Sequence, residues 1–524
     1  MQACRARSPW PSSMADMNSS GGAPRSSPEE RVISKSLKRI LTVLLAIAIH
    51  HGAGAVPARG QEGVSEALLS NGMRVIVQEN HRAPIVSFQV WYRAGSRNEQ
   101  WGKTGLAHLF EHLMFKGTET VSGSEFSRRI QENGAEFNAF TSSDYAAYFE
   151  NLGSDRLQVA IDLEADRMMN LKLSPEDFQT EKMVVMEERR MRTEDNPQAF
   201  LLEQLDATAY QNQPYRWPPI GWFDDLARLT VEDAAAFYRT FYNPANAFIV
   251  VVGDATMEDI LPRLEKAFGV IPGGTVPERF RFEDPPQVGL RRIEVERPAQ
   301  LAAVIMAYHV PNVRSPDAYV LEVISSVLGA AKSSRLYERL IADGKLAVEA
   351  DADYSPLSFD PGLFYISATV MPGKTAGDVE EAVTAELERL KNEPVSDEEL
   401  EKAKNQLEAM FVFHRDSLFY QGMMLAQYEI AVGWKEIARY VPSIRKVTAK
   451  DIRRVARLYF TRRNLTVGTI VPAAGEGGVP PPASSPIIEK TVRLKNEGAV
   501  MTEAPFPGGP TGSAGSGKQE GRRQ

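Results

Sequence analysis

His108, Glu111 and His112 fall within five positions of the stretch GLAHLFEHLMFKGT, residues 105–118, in a chain with only seven histidines. On a helix, residues four apart share a face and the residue three along lies beside them. Two imidazoles so placed can bind one Zn²⁺, each nitrogen at ~2.0–2.1 Å. The carboxylate before the second histidine is poorly placed as a third ligand, but it can reach water at the metal as a general base. A core histidine with a surface ion pair would give the same letters. Against that stands the apolar setting of Leu106, Leu109, Leu113 and Met114. Three polar groups on such a helix are costly to bury without a shared partner, and a cation is one.

A third ligand has to be found among few donors. The only cysteine is Cys4, so thiolate sites, cysteine nucleophiles and disulfides are excluded from the body of the chain. Outside the N-terminal run and the motif, only His81, His309 and His414 remain, in no metal-like spacing. A carboxylate is therefore expected, as in sites built from two histidines and a glutamate. The stretch TEKMVVMEERRMRTEDN, residues 180–196, offers Glu181, Glu187 and Glu188. Seven residues is nearly two helical turns, so Glu181 and Glu188 share a face, with Val184 and Val185 between them, while Glu187 turns toward solvent. Glu188 as ligand, with Glu181 behind it orienting a histidine, fits the way metal ligands are supported. A charged surface helix fits the same spacing.

The elements that must hold these residues belong to a duplicated α+β body. The chain has 524 residues, 43% hydrophobic and 24% charged, enough for two to four domains. Residues 65–475 divide at the Pro/Gly-dense run 269–289. LTVEDAAAFYRTFYNPANAFIVVV (229–252) and VTAKDIRRVARLYFTRRNLTVGTI (447–470) share a pattern at an offset of 218: Thr230 with Thr448, Asp233 with Asp451, Phe241 with Tyr459, Asn246 with Asn464. Each opens with threonine at a helix N-cap and aspartate in the first turn. The strand-like openings IVSFQVWYRAG and AAVIMAYHVPN extend the match. Alternating strands such as MRVIVQEN and amphipathic helices such as SGSEFSRRIQENG predict two homologous α/β-sandwich domains, at 65–270 and 291–475, with 271–290 as linker and helices packed on one sheet face.

Residues 1–60 read as a leader. Lys35, Lys38 and Arg39 precede an apolar run from Ile40 to Ile49 and then small residues, the layout of a secretory signal peptide, which puts the mature start between Val56 and Gln61. Ten apolar residues are too few to span a bilayer, though an uncleaved anchor is the alternative. Residues 476–524 read as a Pro/Gly-rich tail, expected to be partly disordered. A net charge of −8 argues against nucleic acid as a partner.

With HLFEHLMFKGT, EFNAFTSSDYAAYF (136–149), EKMVVMEERRM and YNPANAFIVVVGD (242–254), the sequence resembles the pitrilysin/insulinase family of inverted-zincin metallopeptidases, in the branch of mitochondrial processing peptidase and its bacterial relatives. The likeness runs from about residue 65 to 472. It implies one Zn²⁺ held by His108, His112 and Glu188, with Glu111 as general base, Glu181 in support, and Asn138 and Ala139 on an edge strand that binds the substrate backbone. Phe137, Phe140 and Tyr148 read as core. The activity implied is zinc-dependent endopeptidase action on peptides or unfolded segments.

One departure matters. Where self-sufficient members carry an arginine and a tyrosine seven apart in their second half, LIADGKLAV (340–348) has Ile341 and Val348. The resemblance then implies a heterodimer, a homologous subunit supplying the pair. A homodimer with a substitute donor such as Arg335 or Tyr337, or a non-catalytic, chaperone-like scaffold, is the alternative.

Overall fold

The computed structural model describes residues 63–473 together with 500 and 501. The leader and nearly all of the tail thus lie outside the described residues. Among those described, no helix is long and apolar enough to cross a membrane.

Two sheets organise the fold. The first contains β1 (Val64–Leu68), β2 (Arg74–Glu79), β3 (Ile85–Tyr92), β4 (Glu136–Thr141), β5 (Ala146–Gly153) and β6 (Ala247–Gly253). The second contains β7 (Arg291–Pro298), β8 (Ala303–Val310), β9 (Ala347–Tyr354), β10 (Gly362–Val370) and β11 (Leu465–Ala473). A two-residue strand, β12 (Val500–Met501), joins the first. The orders are β1-β2-β6-β3-β5-β4-β12 and β7-β11-β8-β10-β9. In each sheet one late strand lies between a parallel and an antiparallel neighbour: β6 between β2 and β3, β11 between β7 and β8. Residues 272–288 between them carry neither helix nor strand.

The duplication is written in matching hydrogen bonds. Thr230 with Asp233, and Thr448 with Asp451, each form a reciprocal capping box at a helix start. Asn246 donates to the carbonyls of Phe241 (2.9 Å) and Arg93 (3.4 Å). Asn464 donates in the same way to Tyr459 (2.8 Å) and His309 (3.0 Å). Each asparagine ties the end of a helix to the sheet its chain is about to enter. The offset of 218 carries β3 onto β8 residue for residue.

Strand β3 shows why these sheets are covered twice. Val86, Phe88, Val90 and Tyr92 point into a core shared with helices of the first half, while Trp91 points to the other face. Helices on one face were expected; the opposite face is covered by a helix from the other half. Helix Leu418–Ala431 lays Met423, Leu425, Ala426 and Ile430 on Trp91, Phe140 and Phe248. In return helix Pro197–Ala209 lays Leu201, Leu205 and Ala209 on Ala303, Ile305 and Ile470 of the second sheet. Buried polar groups under the first of these helices are satisfied: Trp91 Nε1 donates to Gln89 Oε1 (3.0 Å), and Gln89 Nε2 to the carbonyl of Phe419 (3.0 Å). The approach is close enough that a Cβ at Gly422 would stand 2.4 Å from Gln89 Nε2.

Trp91 is fully buried at this exchange. Trp91→Ala should therefore lower the unfolding free energy by ~3–5 kcal/mol, read by chemical denaturation. A loss below ~1 kcal/mol would show that the exchanged helix is not seated on this face.

Candidate metal centre

The helix carrying the two histidines, Leu106–Leu113, begins at Gly105, whose φ of +91° is the left-handed region that favours glycine. Gly105 supplies no side-chain cap. Glu99 does that work from outside the helix, accepting from the N–H groups of Gly105 (2.9 Å) and Ala107 (2.7 Å). Gly105 also abuts Gly221: a Cβ on Gly221 would fall 2.4 Å from the Gly105 Cα. Behind the helix, Phe110 packs on Tyr238 and Tyr242, with centroids 5.5 and 4.6 Å away.

Helix Pro175–Arg189 brings the glutamates to this helix. Its start is fixed by Ser174, which caps the N–H of Asp177. Its end is fixed by Arg189, whose buried guanidinium forks onto Glu203 (2.8 Å twice) and donates to the carbonyl of Gly221 (2.7 Å). Gly221 thus touches the start of one helix and anchors the end of the other. The chain then widens into a π-turn over Arg190–Glu194.

Between the two helices, Glu188 Oε2 lies 3.1 Å from His108 Nε2 and 3.4 Å from His112 Nε2. Four ligands around one zinc are spaced about 3.4 Å apart. Among the described residues, these three form the group whose ligand atoms all lie within 4.8 Å of one another. His112 Nε2 is buried and faces the Glu188 carboxylate at 3.4 Å without hydrogen-bond geometry. The donor set, its spacing and this poorly satisfied nitrogen fit a zinc ion. Glu181 Oε2 meets the far nitrogen of His112, Nδ1, at 3.2 Å, and its other oxygen pairs with Lys116. Arg192 Nη1 sits 3.0 Å from Glu188 Oε1. Glu111 is buried on the same helix face, Oε2 3.7 Å from His108 Nδ1.

Helical phase separates the glutamates as the spacing requires. Glu188 and Glu181 are buried, whereas Glu187 is exposed and pairs with Arg190. Of the two valines between them, Val185 is buried but Val184 is exposed, so the shared face is narrower than expected. Burial opposes ionisation of Glu188, yet His108, His112 and Arg192 hold it far below the usual carboxylate range. Burial likewise opposes charge on His112, but Glu181 and Glu188 raise it to about 9.

Asn138 and Ala139 lie on β4, whose inner side pairs with β5, Asn138 opposite Phe149 and Ala139 opposite Tyr148. Asn138 Oδ1 accepts from the Ala139 N–H at 2.8 Å. β4 is not the edge strand that the resemblance implies: its outer side pairs with the two-residue β12 at Phe140 and Thr141. Phe140 and Tyr148 are core residues, and Phe137 is half-buried against Phe126.

In the second half, Ile341 packs against its core and Val348 is partly exposed on β9. Arg335 is no spare donor: Glu399 holds it at 2.6 and 2.7 Å and Glu386 at 3.1 Å. The residues that sequence reasoning missed are Glu99, Arg189 and Gly221. Arg189 stands beside Glu188 in EERRM, indistinguishable there from a solvated arginine.

Residues 74–220 match the family model described as insulinase (peptidase family M16), and residues 228–407 match the one described as the peptidase M16 inactive domain. The zinc protease PqqE of Helicobacter pylori is 31% identical over 430 residues, covering 81% of this chain and 96% of that protein. The Bacillus subtilis protein YmxG, an uncharacterized zinc protease, is 25% identical over 75% of this chain and 94% of its own length. Among solved structures, a protease from Helicobacter pylori superposes with a TM-score of 0.75 at 31% identity, covering 78% of this chain and 99% of its own.

Glu188→Ala should lose most bound zinc, measured by elemental analysis of purified protein, while Glu187→Ala should be nearly silent; the reverse pattern would place the wrong face of the helix at the metal. Because the raised His112 holds a proton that a metal must displace, zinc should bind the chelator-stripped protein more tightly as pH rises from 6.5 toward about 9. The same proton stabilises the metal-free fold below pH 6.5, and that contribution is lost as pH passes about 9. Titration calorimetry in buffers of differing ionisation heat checks the proton release, and a pH-independent affinity would contradict it.

Proposed function

This chain belongs to the insulinase, or M16, family of peptidases, and from that premise we propose that it is an active zinc endopeptidase that hydrolyses peptides or unfolded protein segments. The observation that carries the reading is the convergence of His108, His112 and Glu188 on one point, with Glu111 buried beside them. Bound there, Zn²⁺ supplies Lewis acidity toward a peptide carbonyl and makes water a nucleophile near neutral pH. His108, His112 and Glu188 would hold the ion, one per chain. Glu181 fixes the orientation of His112 through Nδ1. Glu111 takes the proton from the attacking water and passes it to the leaving amine. Asn138 and Ala139, just before the two β4 residues that pair with β12, hold the substrate as an added strand, a mode that relies on main-chain hydrogen bonds and demands little of the sequence.

Ile341 and Val348 stand where an arginine–tyrosine pair would stabilise charge on the scissile carbonyl. Losing one such donor costs ~10²–10³ in turnover. With Arg335 committed to Glu399 and Glu386, a homologous subunit carrying an arginine–tyrosine pair is the better source, so the chain acts as the zinc-bearing half of a heterodimer. The leader directs export to the periplasm or beyond.

Glu111→Gln should retain zinc but abolish cleavage of a fluorogenic peptide library; retained hydrolysis would remove Glu111 from the mechanism. The purified chain alone should be a weak peptidase, raised by ~10²-fold or more when co-expressed with a homologue bearing the pair. Full activity from the lone chain, unchanged by the partner, would rule out the heterodimer. N-terminal sequencing should find the mature chain starting between Val56 and Gln61, and an intact Met1 or Met17 on soluble cytoplasmic protein would refute export.

A further inference from the structure

Four arginines far apart in sequence gather around one phenylalanine. The guanidinium carbons of Arg279 and Arg281 lie 4.1 Å from the ring centroid of Phe359, that of Arg97 4.6 Å and that of Arg314 6.0 Å. Arg97 follows β3 in the first half, Arg279 and Arg281 belong to the stretch between the two sheets, and Arg314 follows β8 in the second half. Guanidinium planes stack well on aromatic rings. Four like charges in one partly buried place nevertheless repel unless anions lie among them.

The anions present are too few. Arg97 is almost fully buried and takes two carboxylates, Asp144 at 3.3 Å and Asp360 at 2.6 Å, while also donating to the carbonyl of Phe280 at 2.7 Å. Asp144 is further occupied by the Tyr215 hydroxyl (2.7 Å) and the Phe359 N–H (2.9 Å). Arg281 donates to the Phe359 carbonyl (2.9 Å) and reaches Asp360 only at 4.0 Å. Arg314 donates to the carbonyl of Ala431. Arg279 has neither an ion pair nor a hydrogen bond among the described residues, and its Nε is buried without an acceptor. Burial, with Arg93 and Arg97, pushes Arg279 down to about 10 against the opposing pull of Asp144 and Tyr215. Arg93 itself is compensated by Glu429 at 2.8 Å. Two carboxylates thus serve four guanidiniums, in a chain whose net charge is −8.

We propose that this cluster is a binding site for a small doubly charged oxyanion of the phosphate class, held by Arg279 and Arg281 against Arg97 and Arg314. The charge left over selects a dianion above a carboxylate, and forked guanidinium N–H groups match tetrahedral oxyanions in pairs. A ligand here touches the connecting stretch and both halves at once. Its binding ties together the parts whose spacing sets the relation of the two sheets.

The test is thermal unfolding and calorimetry of the full chain, zinc-loaded, in chloride, acetate, sulfate and inorganic phosphate at matched ionic strength. Phosphate and sulfate should raise the unfolding midpoint along a saturating, single-site curve, with heat of binding at one anion per chain; chloride and acetate should not. Arg279→Gln should unfold no earlier than the unsubstituted protein in chloride, because it relieves repulsion, and should lose the saturating shift. Arg281→Gln should weaken phosphate at least ~10-fold, the loss of one charge-assisted contact, and serves if the first variant does not fold. A rise that never saturates, or one kept by both variants, is the general effect of excluded salts and overturns the proposal. Saturation by acetate to the same extent also overturns the assignment to a dianion.

Discussion

Everything at the centre of this protein depends on keeping three buried glutamates and two imidazoles between two helices without unfolding them. Such groups are tolerable only if each charge is met. Glu181 is met by Lys116 and His112, Glu188 by both histidines and Arg192, and Glu111 lies 3.7 Å from His108 Nδ1. The geometry that allows this comes from outside the site: Gly105 and Gly221 touch, backbone to backbone, because neither carries a Cβ, and Arg189 draws the glutamate helix to the same spot. The ligands are well placed because their helices are pinned at their ends.

The frame around those helices is a duplicated unit used asymmetrically. Each half closes the other by lending it a helix, so neither sheet face is left apolar and open. The buried polar residues of the first half include His108, Glu111, Glu181 and Glu188 of the candidate metal centre. In the second, the helix Asp317–Gly329 that follows β8 buries mainly apolar residues, along with Asp317 and Ser326, and desolvation raises the carboxyl of half-buried Glu322 to about 8, with Tyr440 donating to it at 3.2 Å. The same fold thus supports one charged centre and one quiet one, and function follows from the side chains rather than from the architecture.

Much of this was legible in the sequence because it obeys short-range periodicity. The spacing of His108 and His112, the seven-residue step from Glu181 to Glu188, the outward turn of Glu187 and the paired threonine caps are all helix arithmetic. Asn246 and Asn464 declared the repeat. What stayed hidden depends on contacts that no period encodes. The helix Leu418–Ala431 is largely apolar, and nothing local in its sequence says that it covers the opposite half. Arg189 looks like its charged neighbours until Gly221 and Glu203 are placed beside it. The arginines around Phe359 span residues 97–314 and meet only in the folded chain.

One zinc ion should sit between His108, His112 and Glu188. Diffraction from crystals of the purified protein, recorded on both sides of the zinc absorption edge, addresses that without assuming any substrate or partner. A single anomalous peak is expected at ~2.0–2.2 Å from one nitrogen of each histidine and an oxygen of Glu188. A zinc-replete protein whose anomalous peak lies elsewhere, with these three side chains joined only to one another, would contradict it.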